Sequence, residues 1–186
     1  MSYTVKYRVQ NACAAWVGVE SVVVAVLMDT NHQDARPVVI WIVVATIAVH
    51  FIEEYAMNFP GWADRFFSMP ITSEDFHLVN AAVSLYALAC GAVGWRLPAF
   101  SLTIAALIGL NGVFHAGAGL LVGGYSPGAV TGVVLFIPAA IAAYRDAHRA
   151  GLLSTRVLVI SLSVGVLWHA FLGIIFYLKY FAAVYP

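Results

Sequence analysis

Charge is what this sequence has least of. Only 10% of its 186 residues are Asp, Glu, Lys or Arg, nine basic against nine acidic, and no basic tract occurs. That excludes nucleic-acid binding and an electrostatic lipid anchor. Cysteine is nearly missing: Cys13 and Cys90 both fall in apolar runs without C-x-x-C spacing, so no thiolate metal site is predicted. Internal repeats, low-complexity segments and a G-x-S-x-G serine nucleophile motif are also lacking. The excess lies elsewhere, with 62% hydrophobic residues and a mean hydropathy of +0.89, outside the range of a water-soluble domain. The chain is expected to be embedded in a membrane of the bacterial cytoplasmic type.

Crossing roughly 30 Å of hydrocarbon takes about 20 residues of helix. The apolar runs divide into six such spans, at about residues 11 to 28, 38 to 58, 74 to 95, 98 to 123, 127 to 149 and 155 to 181. Glu20 interrupts the first run and no small-x-small cleavage site follows it, so it reads as a retained span rather than a signal peptide. Pro37 and Pro127 suit first helical positions, Thr72-Ser73-Glu74-Asp75 reads as a helix cap, and Pro138 predicts a bend in the fifth span. The expected fold is an all-α bundle of six transmembrane helices in a single domain over residues 1 to 186. Lys and Arg divide four to the N-terminal side and five to the other. The cluster Arg145, Arg149 and Arg156 points to the latter side as cytoplasmic.

The few polar residues converge. Following span direction, Glu20, His50, Glu53, Glu54, His77, Asn80, Asn111, His115 and His169 all fall between the midplane and the N-terminal side. Residues four apart share a helix face, which gives the second span a polar stripe of Thr46, His50, Glu54 and Asn58, flanked by Glu53. His115 lies on a ridge with Asn111, Gly119 and Gly123, and His169 on one with Ser161, Gly165 and Gly173. Small residues line the contact faces of membrane helices, so both ridges should face other helices. Gly128 and Gly132 are expected to answer Gly119 and Gly123 across the fourth and fifth spans.

The stretch VHFIEEY, residues 49 to 55, places two carboxylates and an imidazole in a lipid-soluble segment. Charged groups in hydrocarbon persist where they pair, bind an ion or line a wet cavity. A metal ion, a shared proton or a cationic ligand would each explain the pair. Tyr125-Ser126-Pro127-Gly128 marks a helix N-terminus whose free amides could receive an anionic headgroup or substrate oxygen, or form no more than a tight turn.

H-x-x-E-E at His50, Glu53 and Glu54 resembles the motif of the HXXEE-domain family of membrane proteins. Asn111-Gly-Val-Phe-His115 and Tyr125-Ser-Pro127-Gly128, with Thr131 following, extend the resemblance over residues 50 to 149. It implies candidate residues but no reaction.

Three functions fit these residues. The first is a metal-dependent enzyme acting on a lipid-like or isoprenoid substrate, with zinc or iron held by His50, Glu54, His115 and His169 and with Glu53, Glu54 and Asn111 as catalytic candidates. His77 and Glu20 could complete a second ion site, and Asn80 and Tyr125 are further candidates. The second is metal-free isomerisation or cyclisation of an isoprenoid by a protonated glutamate. The third is proton-coupled transport, whose cue of broken helices in paired repeats is not found. The expected partners are membrane lipid, an apolar small molecule and, for a carrier of this size, further copies of the chain.

Overall fold

The computed structural model describes residues 37–184, which are helical with short connections and contain no strand among them. The helices are α1 (Val38–Ala56), α2 (Phe59–Phe67), α3 (Ser73–Val93), α4 (Pro98–Leu121), α5 (Ala129–Arg149) and α6 (Thr155–Val184). All but α2 are long and apolar enough to cross a membrane, which gives five candidate spans among the described residues rather than six. The expected first span, residues 11 to 28, and Glu20 within it lie outside the described residues.

Local chemistry sets the helix ends. Thr72 and Asp75 form a reciprocal capping box at the start of α3: the Asp75 amide donates to Thr72 Oγ1 at 3.2 Å and the Thr72 amide to Asp75 Oδ2 at 2.9 Å, an arrangement worth about 1 kcal/mol. Pro98 opens α4, whereas Pro127 stands two residues ahead of α5 in the turn instead of at its first position. Ahead of Pro138, where a bend was expected, α5 contains a π-helical segment, Gly132–Phe136. Proline has no N–H for the carbonyl four residues earlier, and a widened turn is one way the backbone accommodates that loss.

Sequence reading did not anticipate α2. It begins at Asn58 in the left-handed region (φ 50°), whose side chain accepts from the Gly61 amide, and ends at Ser68, also left-handed (φ 52°). Its residues Phe59, Trp62 and Ala63 pack with Met69, Ile71, Phe76 and Phe176. The end of the bundle where α1 finishes and α3 begins therefore carries an apolar cover.

Apolar residues fill the centre, with Ile40, Leu102 and Ile104 fully buried, but they also cover the outside. Leu120 is 84% exposed and Leu167 65%, so the outward faces suit lipid, and hydrophobic burial alone cannot hold the helices together. Close approach of small residues takes its place. α4 is the most enclosed span and touches α1, α3, α5 and α6. A methyl built on Gly165 would stand 2.7 Å from Ala106 Cβ, and one on Gly112 would stand 2.6 Å from the Gly132 carbonyl oxygen. Gly165 thus faces α4 and Ser161 meets the Tyr144 hydroxyl of α5 at 2.8 Å, so this part of the ridge faces other helices as its spacing predicts, whereas Gly173 at its end is exposed. Gly132 answers Gly112 rather than Gly119 or Gly123, because the turn before α5 brings it deeper along α4 than simple antiparallel pairing suggests.

Candidate functional site

The inward face of α1 is Ile40, Val43, Ile47, His50 and Glu54, recurring every three or four residues. Of the expected polar stripe, only its middle enters the bundle. The Thr46 hydroxyl donates to its own helix at the Val43 carbonyl, 2.7 Å away, and Asn58 caps α2.

His50 and Glu54 meet His115 of α4. His50 Nε2 lies 3.5 Å and His115 Nε2 3.2 Å from the same oxygen, Glu54 Oε1. Both imidazoles are 1% exposed and Glu54 6%. An ionised carboxylate at this depth costs several kcal/mol unless it is paired, and the two rings are what it pairs with. The ligand-capable atoms of the three residues lie within 4.8 Å of one another, so the group could hold a metal ion.

The far side of each ring is held by a hydroxyl. His50 Nδ1 is 2.7 Å from Thr131 Oγ1 and His115 Nδ1 is 3.3 Å from Ser126 Oγ. Fixing one ring nitrogen aims the other, the outer-shell arrangement typical of metal-binding histidines. His50 Nε2 nevertheless has no hydrogen-bond partner, since its approach to Glu54 lacks the geometry for one. Phe136 stacks on His50 at a centroid distance of 4.1 Å, and Phe59 of α2 meets the edge of His115 at 5.6 Å.

Glu53 points elsewhere. Its Oε1 accepts from the Val130 amide at 3.1 Å and from the Tyr125 hydroxyl, and its Oε2 accepts from the Thr131 amide at 2.7 Å. The free amides expected to receive an external anion are therefore taken by a carboxylate of the protein itself, at the positive end of the α5 dipole. Burial, and then the Glu53 carboxylate beside it, push the Tyr125 phenol up to about 12.

Beside the three-residue group lies a cavity of about 200 Å³ with mostly apolar walls. Asn80, Asn111 and His169 line it, each with a buried side-chain atom that has no hydrogen-bond partner. His169 was expected to join the ligand set, but it stays outside the group formed by His50, Glu54 and His115: α6 is anchored on α4 at Gly165 and forms another wall of the cavity. His77 is exposed, its Nδ1 2.6 Å from its own helix's Ser73 carbonyl, and it does not line the cavity. Thr131 and Ser126 were not singled out as partners of the rings. Thr131 had a signal, its place after Tyr125-Ser-Pro-Gly in the motif that carried the resemblance, and Ser126 lies within that motif.

Buried imidazoles and a carboxylate at the centre of a bundle of membrane-length helices define the class of this protein. The family described as "protein of unknown function with HXXEE motif" matches residues 41–143, more than half of the chain, and the chain belongs to that family. No curated protein and no solved structure matches it.

Proposed function

We propose that this protein is a membrane-embedded, metal-dependent enzyme acting on a lipid-like or isoprenoid substrate in a membrane of the bacterial cytoplasmic type. One observation carries the reading: two imidazole Nε2 atoms and one carboxylate converge at the wall of an apolar cavity, with a hydroxyl behind each ring. Two neutral imidazoles and a carboxylate form a nitrogen and oxygen donor set that suits zinc or iron and leaves a coordination position open. The unpartnered Nε2 of His50 fits such an ion. The metal would supply Lewis acidity, or electrons if it is redox-active.

The protein's own groups divide the remaining tasks. His50, Glu54 and His115 hold the ion, and the apolar walls keep water from the reacting atoms. Asn111, one turn from His115 on α4, faces the substrate. Glu53 serves as a clamp on α5 rather than as a base, because its two oxygens already accept from three donors.

Elemental analysis of protein purified without added metal tests this. We expect about one zinc or iron per chain in the wild type, lost in His50→Ala and Glu54→Gln proteins that still unfold cooperatively. Absence of stoichiometric metal from folded wild-type protein would reject it. That result would favour a second reading, acid/base isomerisation or cyclisation with Glu54 as proton donor. The rings of Phe51, Phe59, Phe76, Phe114, Phe136 and Phe176 around the cavity support that reading, since aromatic faces stabilise a developing cation.

A further inference from the structure

The cavity holds polar groups that the three-residue group does not use. Asn80 Nδ2 on α3 and Asn111 Oδ1 on α4 are buried without hydrogen-bond partners, as is His169 Nδ1 on α6. Each such atom costs about 1–3 kcal/mol, so several in one apolar chamber mark where the polar part of a guest sits. Among the described residues no lysine or arginine lines the cavity, and Glu54 does. At the two amides, therefore, a phosphate, diphosphate or carboxylate headgroup finds no opposite charge among the protein's own described side chains. An amide Nδ2 donates and an amide Oδ1 accepts. A hydroxyl answers both at a single oxygen, whereas a ketone or aldehyde answers only the donor and a hydrocarbon neither.

A volume of about 200 Å³ admits a ring or a short branched segment, not a long chain, so a tail has to leave sideways. Helices α3 and α6 are tied at two levels, by Tyr86 against Trp168 at a centroid distance of 5.6 Å and by the Asp75–Lys179 ion pair. Between these ties Asn80 and Val83 face the cavity from one side and His169, Leu172 and Gly173 from the other. Gly173 is also exposed, and a methyl built on it meets nothing within 4 Å.

We propose that the cavity receives the hydroxyl-bearing end of a long apolar alcohol, its oxygen held between Asn80 and Asn111 and its tail passing between α3 and α6 at Gly173 into the bilayer. This rests on reading the cavity as the reaction chamber, but binding alone tests it. Protein in nanodiscs is equilibrated with radiolabelled farnesol, which is displaced by unlabelled farnesol, by the hydrocarbon farnesene or by farnesoic acid. The alcohol should bind roughly tenfold or more tightly than either analogue. Asn80→Leu and Asn111→Leu should bring farnesol down to the affinity of farnesene, and Gly173→Trp should abolish saturable binding of the alcohol, with metal content unchanged in all three variants. Equal displacement by the hydrocarbon, preference for the acid, no saturable binding, or an undiminished preference for the alcohol in Asn111→Leu protein would each overturn the proposal. The wild-type comparison needs no variant, so a misfolded mutant cannot shelter it. Failure of the metal reading would instead show as missing zinc or iron, with the alcohol preference intact.

Discussion

Gly128 lies against the imidazole of His50. A methyl group built on it would stand 2.7 Å from His50 Cε1 and 3.1 Å from His115 Cε1, and its φ of +90° is one that residues with a Cβ rarely adopt. Gly128→Ala should therefore destabilise the protein by about 2 kcal/mol or more and reduce bound metal, because backbone strain of about 1–3 kcal/mol adds to displacement of both rings. Gly123 separates the two causes: its φ is +65° but a methyl there meets nothing within 4 Å. Gly123→Ala should pay only the strain and keep its metal. Thermal unfolding in detergent with metal content on the same samples measures both, and equal metal loss in the two variants would refute the steric account.

Thr131 Oγ1 acts on the site through His50 Nδ1. Thr131→Val keeps the shape and removes the hydroxyl, so metal affinity should fall by about 10–100-fold with about 1 kcal/mol of stability lost. Ser126→Ala should cost less, since its 3.3 Å contact with His115 is the longer. Competition with a chelator of known affinity ranks the three proteins; wild-type affinity in Thr131→Val would show that the hydroxyl does not aim the ring.

Glu53 joins α1 to the start of α5 through the Val130 and Thr131 amides and the Tyr125 hydroxyl. Glu53→Gln should lower stability by about 1–3 kcal/mol, as expected when charge-assisted hydrogen bonds are lost, and Tyr125→Phe by about 1 kcal/mol. Metal content should survive both changes, in contrast to Glu54→Gln. A Glu53→Gln protein of undiminished stability that had lost all metal would make Glu53 a ligand and not a clamp.

Tyr125 gives a pH signature outside the spans. Its phenol rises from the ordinary 10.0 to about 12 in the folded protein, so the folded state holds that proton more tightly than the unfolded chain does. The resulting stability is fully present below pH 10 and is lost as pH rises from about 10 to 12. Ultraviolet titration should show a late-ionising component that is absent from Tyr125→Phe and shifted back toward 10 in Glu53→Gln. No change in the late phase on replacing Glu53 would disprove the coupling.

Length and hydropathy made the spans legible: α1, α3, α4, α5 and α6 each start within two residues of the expected position. The i, i+4 spacing put His50 and Glu54 on one face, and span direction put His115 at the same depth, which is why this trio was foreseeable. Depth does not give azimuth. Glu53 and Glu54 are adjacent, yet about 100° of helical rotation sends one to α5 and the other to α4, a choice that depends on which neighbours α1 has. His169 lies on a different wall of the same cavity for the same reason. Helix α2 was missed because nine residues containing Pro60 and Gly61 carry too short a pattern to stand out between two spans.

The π-helical segment Gly132–Phe136 gives the fifth span one residue beyond what an ordinary α-turn would need for the same rise. Such a surplus can be trimmed by one residue while the flanking turns keep their rotational phase. The length of this span is therefore not set by bilayer thickness alone. The widened turn also carries Phe136, whose ring covers His50, and so ties the spare residue to the chemistry of the site.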